Sequence, residues 1–216
     1  TRSGLGIPAE PLFRSSYYSQ SGNVVNNEGN TTITSTNGTN VIIGDITNTK
    51  GNIGITTNST GTNIASNIST LDGTIAIENK KGNLELSNVS ATDGISIKNT
   101  NNAQKLNIDG AVSNKNNNVV ISSLKDLTIS NTVTNETGNV DISSLNGLTI
   151  SDAISNETGN INISNNSGLA TISGAITNNN GNISISNKGN SILSNSVSTN
   201  TGDVSITSNG LSVKDV

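Results

Sequence analysis

The sequence predicts an all-β chain: a right-handed parallel β-solenoid of about nine coils of 20–24 residues, with three short parallel sheets. Three observations carry that reading. First, one phrase recurs every 21 or 22 residues, with leading apolar residues Val119, Val140, Ile161, Ile183 and Val204. Repeats of that length are stacked supersecondary units. Second, Val140 and Ile142 alternate with Asn139 and Asp141, and Leu148 and Ile150 flank Thr149. Alternation over three to five residues marks a strand with one buried face. Third, Gly-Asn, Asn-Gly and Asn-Glu-Thr-Gly separate the apolar runs, and these residues tolerate the backbone angles of tight turns. Strands so short bury little by pairing with their sequence neighbours. Stacking each on its equivalent in the next coil, about 4.8 Å away, merges the apolar columns into one narrow core. The right-handed preference of parallel crossovers sets the hand. A helical repeat is excluded, because no window places apolar residues at i, i+3, i+4 and i+7.

Taken in order, residues 1–21 stand apart. They hold both prolines, all three aromatic residues and the only arginines. They read as a non-repetitive lead-in: a linker, or a cap whose Leu12, Phe13 and Tyr17 cover an open end, or a coupling to another subunit. Open solenoid ends are strand edges, which template association unless blocked. Residues 22–216 form the solenoid. Val24 and Val25 start a partial coil. The first column then runs Thr31, Ile53, Ile75, Ile95, Val119 and onward to Val204, with steps of 20 to 24 residues. The longest step contains 99–104, expected to bulge outward. The second column holds Val41/Ile43, Ile64, Leu84/Leu86, Leu106/Ile108, Leu127/Ile129, Leu148/Ile150, Leu169/Ile172, Ile192/Leu193 and Leu211/Val213. The third holds Ile46, Ile68, Val89, Val112, Val133, Ile154, Ile176 and Val197. Nine coils make a rod on the order of 40 Å long. Val216 falls where the third column would continue, so the molecule is expected to extend further or to receive another subunit there.

Composition agrees. Only 30% of residues are hydrophobic, yet the net charge is −4 and there are only two prolines, which argues against disorder. A thin solenoid needs few core residues per coil. The acidic balance and the lack of basic clusters argue against nucleic acid as a partner. No run of 18 apolar residues occurs, so no membrane-spanning helix is expected.

The Gly-Asn-φ-x-φ phrases at Gly51, Gly138, Gly159 and Gly181, each followed by a phrase such as Leu148-Thr149-Ile150, resemble those of filamentous haemagglutinin-like exoproteins of bacterial two-partner secretion. More loosely they resemble autotransporter passenger domains. The resemblance covers residues about 22–216. It implies a right-handed β-helical rod, export to the bacterial surface, and adhesive or biofilm roles. The family's amino-terminal secretion domain carries Asn-Pro motifs that this chain lacks, so the likeness is to the repeat-rich shaft.

Catalytic machinery is hard to assemble. There is no His for a general base and no Cys nucleophile. The carboxylates are scattered through turns rather than clustered, as a polysaccharide-degrading site would need. No enzyme and no cofactor are expected. One column is different: Lys115, Glu136, Glu157, Asn179 and Asn200 fall at equivalent positions. Stacking would place Glu136 about 5 Å from Glu157. The preferred reading is a solvated turn partly offset by Lys115, and the rival is a cation site. Asn135, Asn156 and Asn178 form a second column, and Asn139, Asn160 and Asn182 a third. Stacked amides can hydrogen-bond along a solenoid. They line turns on one reading and form a sugar-binding ridge on the other. Asn-x-Ser/Thr sequons occur at Asn67, Asn88, Asn135, Asn156 and Asn165 among others, as expected by chance in such a composition. Thr31, Thr32 and Thr34 do not continue as a row, which discounts ice binding.

The expected role is therefore a structural or adhesive rod segment of a secreted or cell-surface bacterial adhesin, meeting a host-cell or matrix receptor or a glycan. The alternatives are a subunit of an extracellular fibre that self-associates through the solenoid ends and residues 1–21, and a carbohydrate-binding or carbohydrate-degrading β-helix.

Overall fold

Short alternating phrases become a stack of parallel strands in the computed structural model, which describes residues 13–15, 19–20, 22–36, 39–42, 44–58, 60–64 and 66–214. Among these residues there are 27 strands and no helix. Val119, Val140, Ile161, Ile183 and Val204 lie opposite one another in successive coils. Val24, Ile46, Ile68, Val89, Val112, Val133, Ile154, Ile176 and Val197 do the same on the third face. The fold is a parallel β-solenoid of about eight turns, against the nine coils counted from the sequence. The difference is one of counting, because nine stacked strands on the third face are separated by eight coil-to-coil steps.

Three faces surround the core, but they form two hydrogen-bonded sheets, of 18 and nine strands. The first two faces join because strands Ile183–Leu193 and Val204–Val213 run straight through the corner between them. An irregularity between Asn187 and Asn190 absorbs the bend. The ladder also starts earlier than residue 22. Phe13–Ser15 pairs in parallel with Thr31–Ser35, and Ser19–Gln20 with Thr39–Ile42. The other lead-in residues singled out above, Leu12 and Tyr17 among them, lie outside the described residues, as do Ile43 and Val216.

The core is one continuous cluster of Ile, Val, Leu and Ala. Val133, Val140, Ile154, Ile161, Ile176 and Ile183 are fully buried within it. Two expected core positions differ. Val204 is 42% exposed and Val197 is only partly buried, since both belong to the last described coil and are covered from one side. In the second column Ala170 rather than Leu169 faces inward, opposite Leu148, and Leu169 is exposed. One coil on, Ser191 and Leu193 are buried while Ile192 pairs with Thr171 on the outer side. Strand alternation leaves only every second residue inward, so an apolar neighbour one step off the register turns to solvent. The residues between Ile95–Asn99 and Leu106–Ile108 form the outward loop expected there.

The corner between the third and first faces is glycine in most coils, with Asn117 at φ 63° taking the place in one. Gly138, Gly159, Gly181 and Gly202 stack there with φ of 100°, 117°, 134° and 131°. A Cβ on Gly159 would stand 2.2 Å from the Gly138 carbonyl oxygen. Coils at ladder spacing leave no room for a side chain directed along the stack.

Candidate binding surfaces

Both polar corners are built from buried side chains. Asn135, Asn156 and Asn178 are 3%, 2% and 3% exposed, which overturns their reading as a sugar-binding ridge. They sit at the inward end of the third-face strands and satisfy the carbonyls of the glycine corner. Asn156 Nδ2 donates to Gly138 O at 3.0 Å, Asn178 Nδ2 to Gly159 O at 2.8 Å, and Asn135 Nδ2 to Gly138 O at 3.1 Å. Where the column holds threonine, the bond persists: Thr70 Oγ1 donates to Gly51 O and Thr199 Oγ1 to Gly181 O, each at 2.8 Å. The amides do not hydrogen-bond to one another along the whole stack. Only Asn114 Nδ2 reaches the next amide, Asn135 Oδ1, at 2.9 Å. The corner between the first and second faces uses the same device, with Ser144 Oγ donating to Gly147 O at 2.8 Å and Asn165 Nδ2 to Ser167 O at 2.7 Å.

Asn139, Asn160 and Asn182 form a true ladder of another kind. The backbone N–H of Asn139 donates to Asn118 Oδ1 at 2.8 Å. Those of Asn160, Asn182 and Asp203 donate to Asn139, Asn160 and Asn182 in turn, each at 2.9 Å. Each side chain supplies an acceptor to a backbone N–H that a turn would otherwise leave to water, so the column clamps coil to coil.

Glu136 and Glu157 are exposed, and they lie in the strands Val133–Thr137 and Ile154–Thr158 rather than in a turn. Asn179 Nδ2 donates to Glu157 Oε2, and Asn200 Nδ2 to Asn179 Oδ1 at 2.8 Å. Glu157, Asn179 and Asn200 are thus linked by amides. Among the described residues no three His, Cys, Asp or Glu side chains come together to hold a metal ion.

The surface missed by sequence reasoning is a hydroxyl row. Thr47, Ser69, Ser90, Ser113, Thr134, Ser155, Thr177 and Ser198 lie opposite one another in consecutive coils, all pointing outward from the third face. Ser113 Oγ donates to Ser90 Oγ at 3.0 Å. A groove of about 490 Å³ follows this row, lined by Ser90, Ser113, Thr134 and Ser155 with Lys115, Glu136, Glu157 and Leu71 at its edge. The signal was present: each third-column aliphatic residue is followed by Ser or Thr, as in Val112-Ser113, Val133-Thr134 and Ile154-Ser155. A second, smaller groove of about 280 Å³ runs beside Ser143, Ser164 and Ser186, between them and the exposed Leu124 and Leu145.

No family model matches the chain, and no curated protein or solved structure matches it either. The class of protein follows from the coordinates: a parallel β-solenoid repeat protein with polar outer faces. Among the described residues no helix is long and apolar enough to cross a membrane.

Proposed function

We propose that the chain is a structural rod segment of a secreted or surface-exposed bacterial adhesin, and that it is not an enzyme. The observation that carries this reading is the unbroken lateral ladder. Strands pair coil to coil on all three faces through the described solenoid, while the outward positions are mostly short polar residues. Each coil of such a stack is bonded to the next along every face, and its outer surface is mostly polar with a few exposed leucines. Beads coated with the folded protein should attach to host cells or matrix above the level of beads carrying an inert protein. Attachment no better than that control removes the adhesive role.

A second reading rests on the hydroxyl row. An extended polysaccharide lying along the third face would meet one hydroxyl per coil. Short Ser and Thr side chains fixed on a sheet lose little entropy on binding. Replacing Ser113, Thr134 and Ser155 together by alanine should abolish polysaccharide binding at unchanged thermal stability. Retained binding by that variant excludes the third face.

A further inference from the structure

The outer corner between the first and second faces contains the pair Asn146-Gly147. An asparagine followed by glycine can cyclise: the glycine backbone nitrogen attacks the side-chain carbonyl carbon and closes a five-membered succinimide. Glycine allows it because no Cβ crowds the attack. The chemistry needs a base for the nitrogen's proton and a donor for the developing oxyanion. Here the two neighbouring coils supply one each. The Gly147 N–H donates to Asp126 Oδ1 at 3.0 Å, one coil away on one side. Ser167 Oγ, from the coil on the other side, shares its one proton between the Leu145 carbonyl at 2.9 Å and Asn146 Oδ1 at 3.2 Å. The glycine itself is held, since its carbonyl accepts from Leu127 N at 2.9 Å and Ser144 Oγ at 2.8 Å.

Asn180-Gly181 provides an internal comparison. Asn180 Oδ1 also accepts from a hydroxyl, Thr201 Oγ1, at 3.0 Å. Its glycine nitrogen, however, donates to the Thr201 carbonyl at 2.8 Å, a ladder partner that is no base. At Asn209-Gly210 the asparagine amide donates to the Lys188 carbonyl, which ties the side chain to the neighbouring coil. The carboxylate on the nucleophilic nitrogen therefore distinguishes Asn146-Gly147 from Asn180-Gly181.

We propose that Asn146-Gly147 is a self-modifying site at which Asp126 and Ser167 promote deamidation. Asp126 takes the Gly147 N–H proton as the nitrogen bonds to Asn146 Cγ. Ser167 holds the oxyanion of the tetrahedral intermediate. The bond from Cγ to the side-chain nitrogen then breaks, and the proton held by Asp126 leaves with that nitrogen as ammonia. Water opens the succinimide at either carbonyl, leaving aspartate or isoaspartate at position 146. No oxidant or reductant is involved, and the net change is one water consumed and one ammonia released. The product carries a new carboxylate one coil from Asp126. In its isoaspartyl form it also lengthens the main chain at a corner whose register the stack depends on.

The test follows deamidation of the purified, folded chain over time by peptide mapping and mass spectrometry. Asn146 should convert at least about tenfold faster than Asn180 and Asn209, below the usual range for a positioned base because a carboxylate is a weak one. In urea, where the fold is gone, the three sites should converge. Asp126→Asn keeps an acceptor for the Gly147 N–H but removes the base, and should bring Asn146 down to the level of the other pairs. Ser167→Ala should slow Asn146 alone, by less. Equal rates at the three sites in the folded chain overturn the proposal. So does an Asp126→Asn variant that melts like the parent and still deamidates at the parent rate.

Discussion

Replacing Gly159 by alanine tests the stacking geometry most directly. The residue sits at φ 117°, a region that side-chain-bearing residues occupy at a cost of about 1–3 kcal/mol. The added methyl would also lie 2.2 Å from Gly138 O and 2.6 Å from Gly138 C. Both are backbone atoms, and Gly138 cannot yield without disturbing its own bond to Thr158 O at 2.8 Å. Relieving such an overlap costs a further 1–3 kcal/mol or so. The sum is about 2–6 kcal/mol, which for a chain of this size corresponds to a fall in Tm of roughly 5–20 °C. Circular dichroism melting measures it. Native-state hydrogen exchange should place the damage in the coils on either side of Gly159, since stability in a stacked protein is a sum of nearest-neighbour terms. Gly54→Ala is the matched control, because a Cβ there meets nothing within 4 Å. It should change stability by less than about 1 kcal/mol. If Gly159→Ala melts with the control, the glycines are not wedged between coils and the register argument fails.

Other substitutions probe the core, the amide column and the surface. Ile161→Ala, at a fully buried site, should cost about 2–5 kcal/mol, whereas Val204→Ala at its half-wet position should cost below about 1; equal losses would contradict the burial pattern in denaturant titrations. Asn156→Thr should be neutral or stabilising, because a threonine hydroxyl reaches the corresponding glycine carbonyl from Thr70 and Thr199, and Asn156 Oδ1 is buried without a partner. Asn156→Leu removes one of the two donors to the Gly138 carbonyl, leaving Asn135, and should lose about 0.5–1.5 kcal/mol, a difference that thermal melts of the two variants resolve. An N-glycosyltransferase acting on the folded chain should modify the exposed Asn67 and Asn88 and spare the buried Asn135, Asn156 and Asn165; mass-mapped sugar on any of the buried three would mean the coils open.

Much of this architecture can be read from spacing alone, because aliphatic residues that recur every 21 or 22 positions can share a core only if coils stack in register. The columns through Val140 and Ile154 follow directly. Residues beside corners are harder. Leu124 and Leu145 match position for position, which implies equivalence but not direction, and both face solvent. Leu169 looked like a core residue because it is apolar; Ala170 takes the place because it holds the inward phase. The asparagines at 135, 156 and 178 are legible as a column that lines turns or forms a ridge, but not as buried. Their burial depends on glycine carbonyls of the adjacent turn that need a donor, a demand invisible until the turn is folded. The hydroxyl row was overlooked because attention to apolar positions passes over the residue between them.

The loop that follows Asn99 shows how this architecture handles changes of length. The step from Ile95 to Val119 is 24 residues, yet the two remain directly opposed, and Leu106 still meets Leu84 and Leu127. Surplus residues are shed sideways at a bend, leaving the strands they connect in place. A foreign peptide grafted at that bend should be displayed without loss of the surrounding scaffold, and tandem duplication of one whole phrase should lengthen the protein by a single layer.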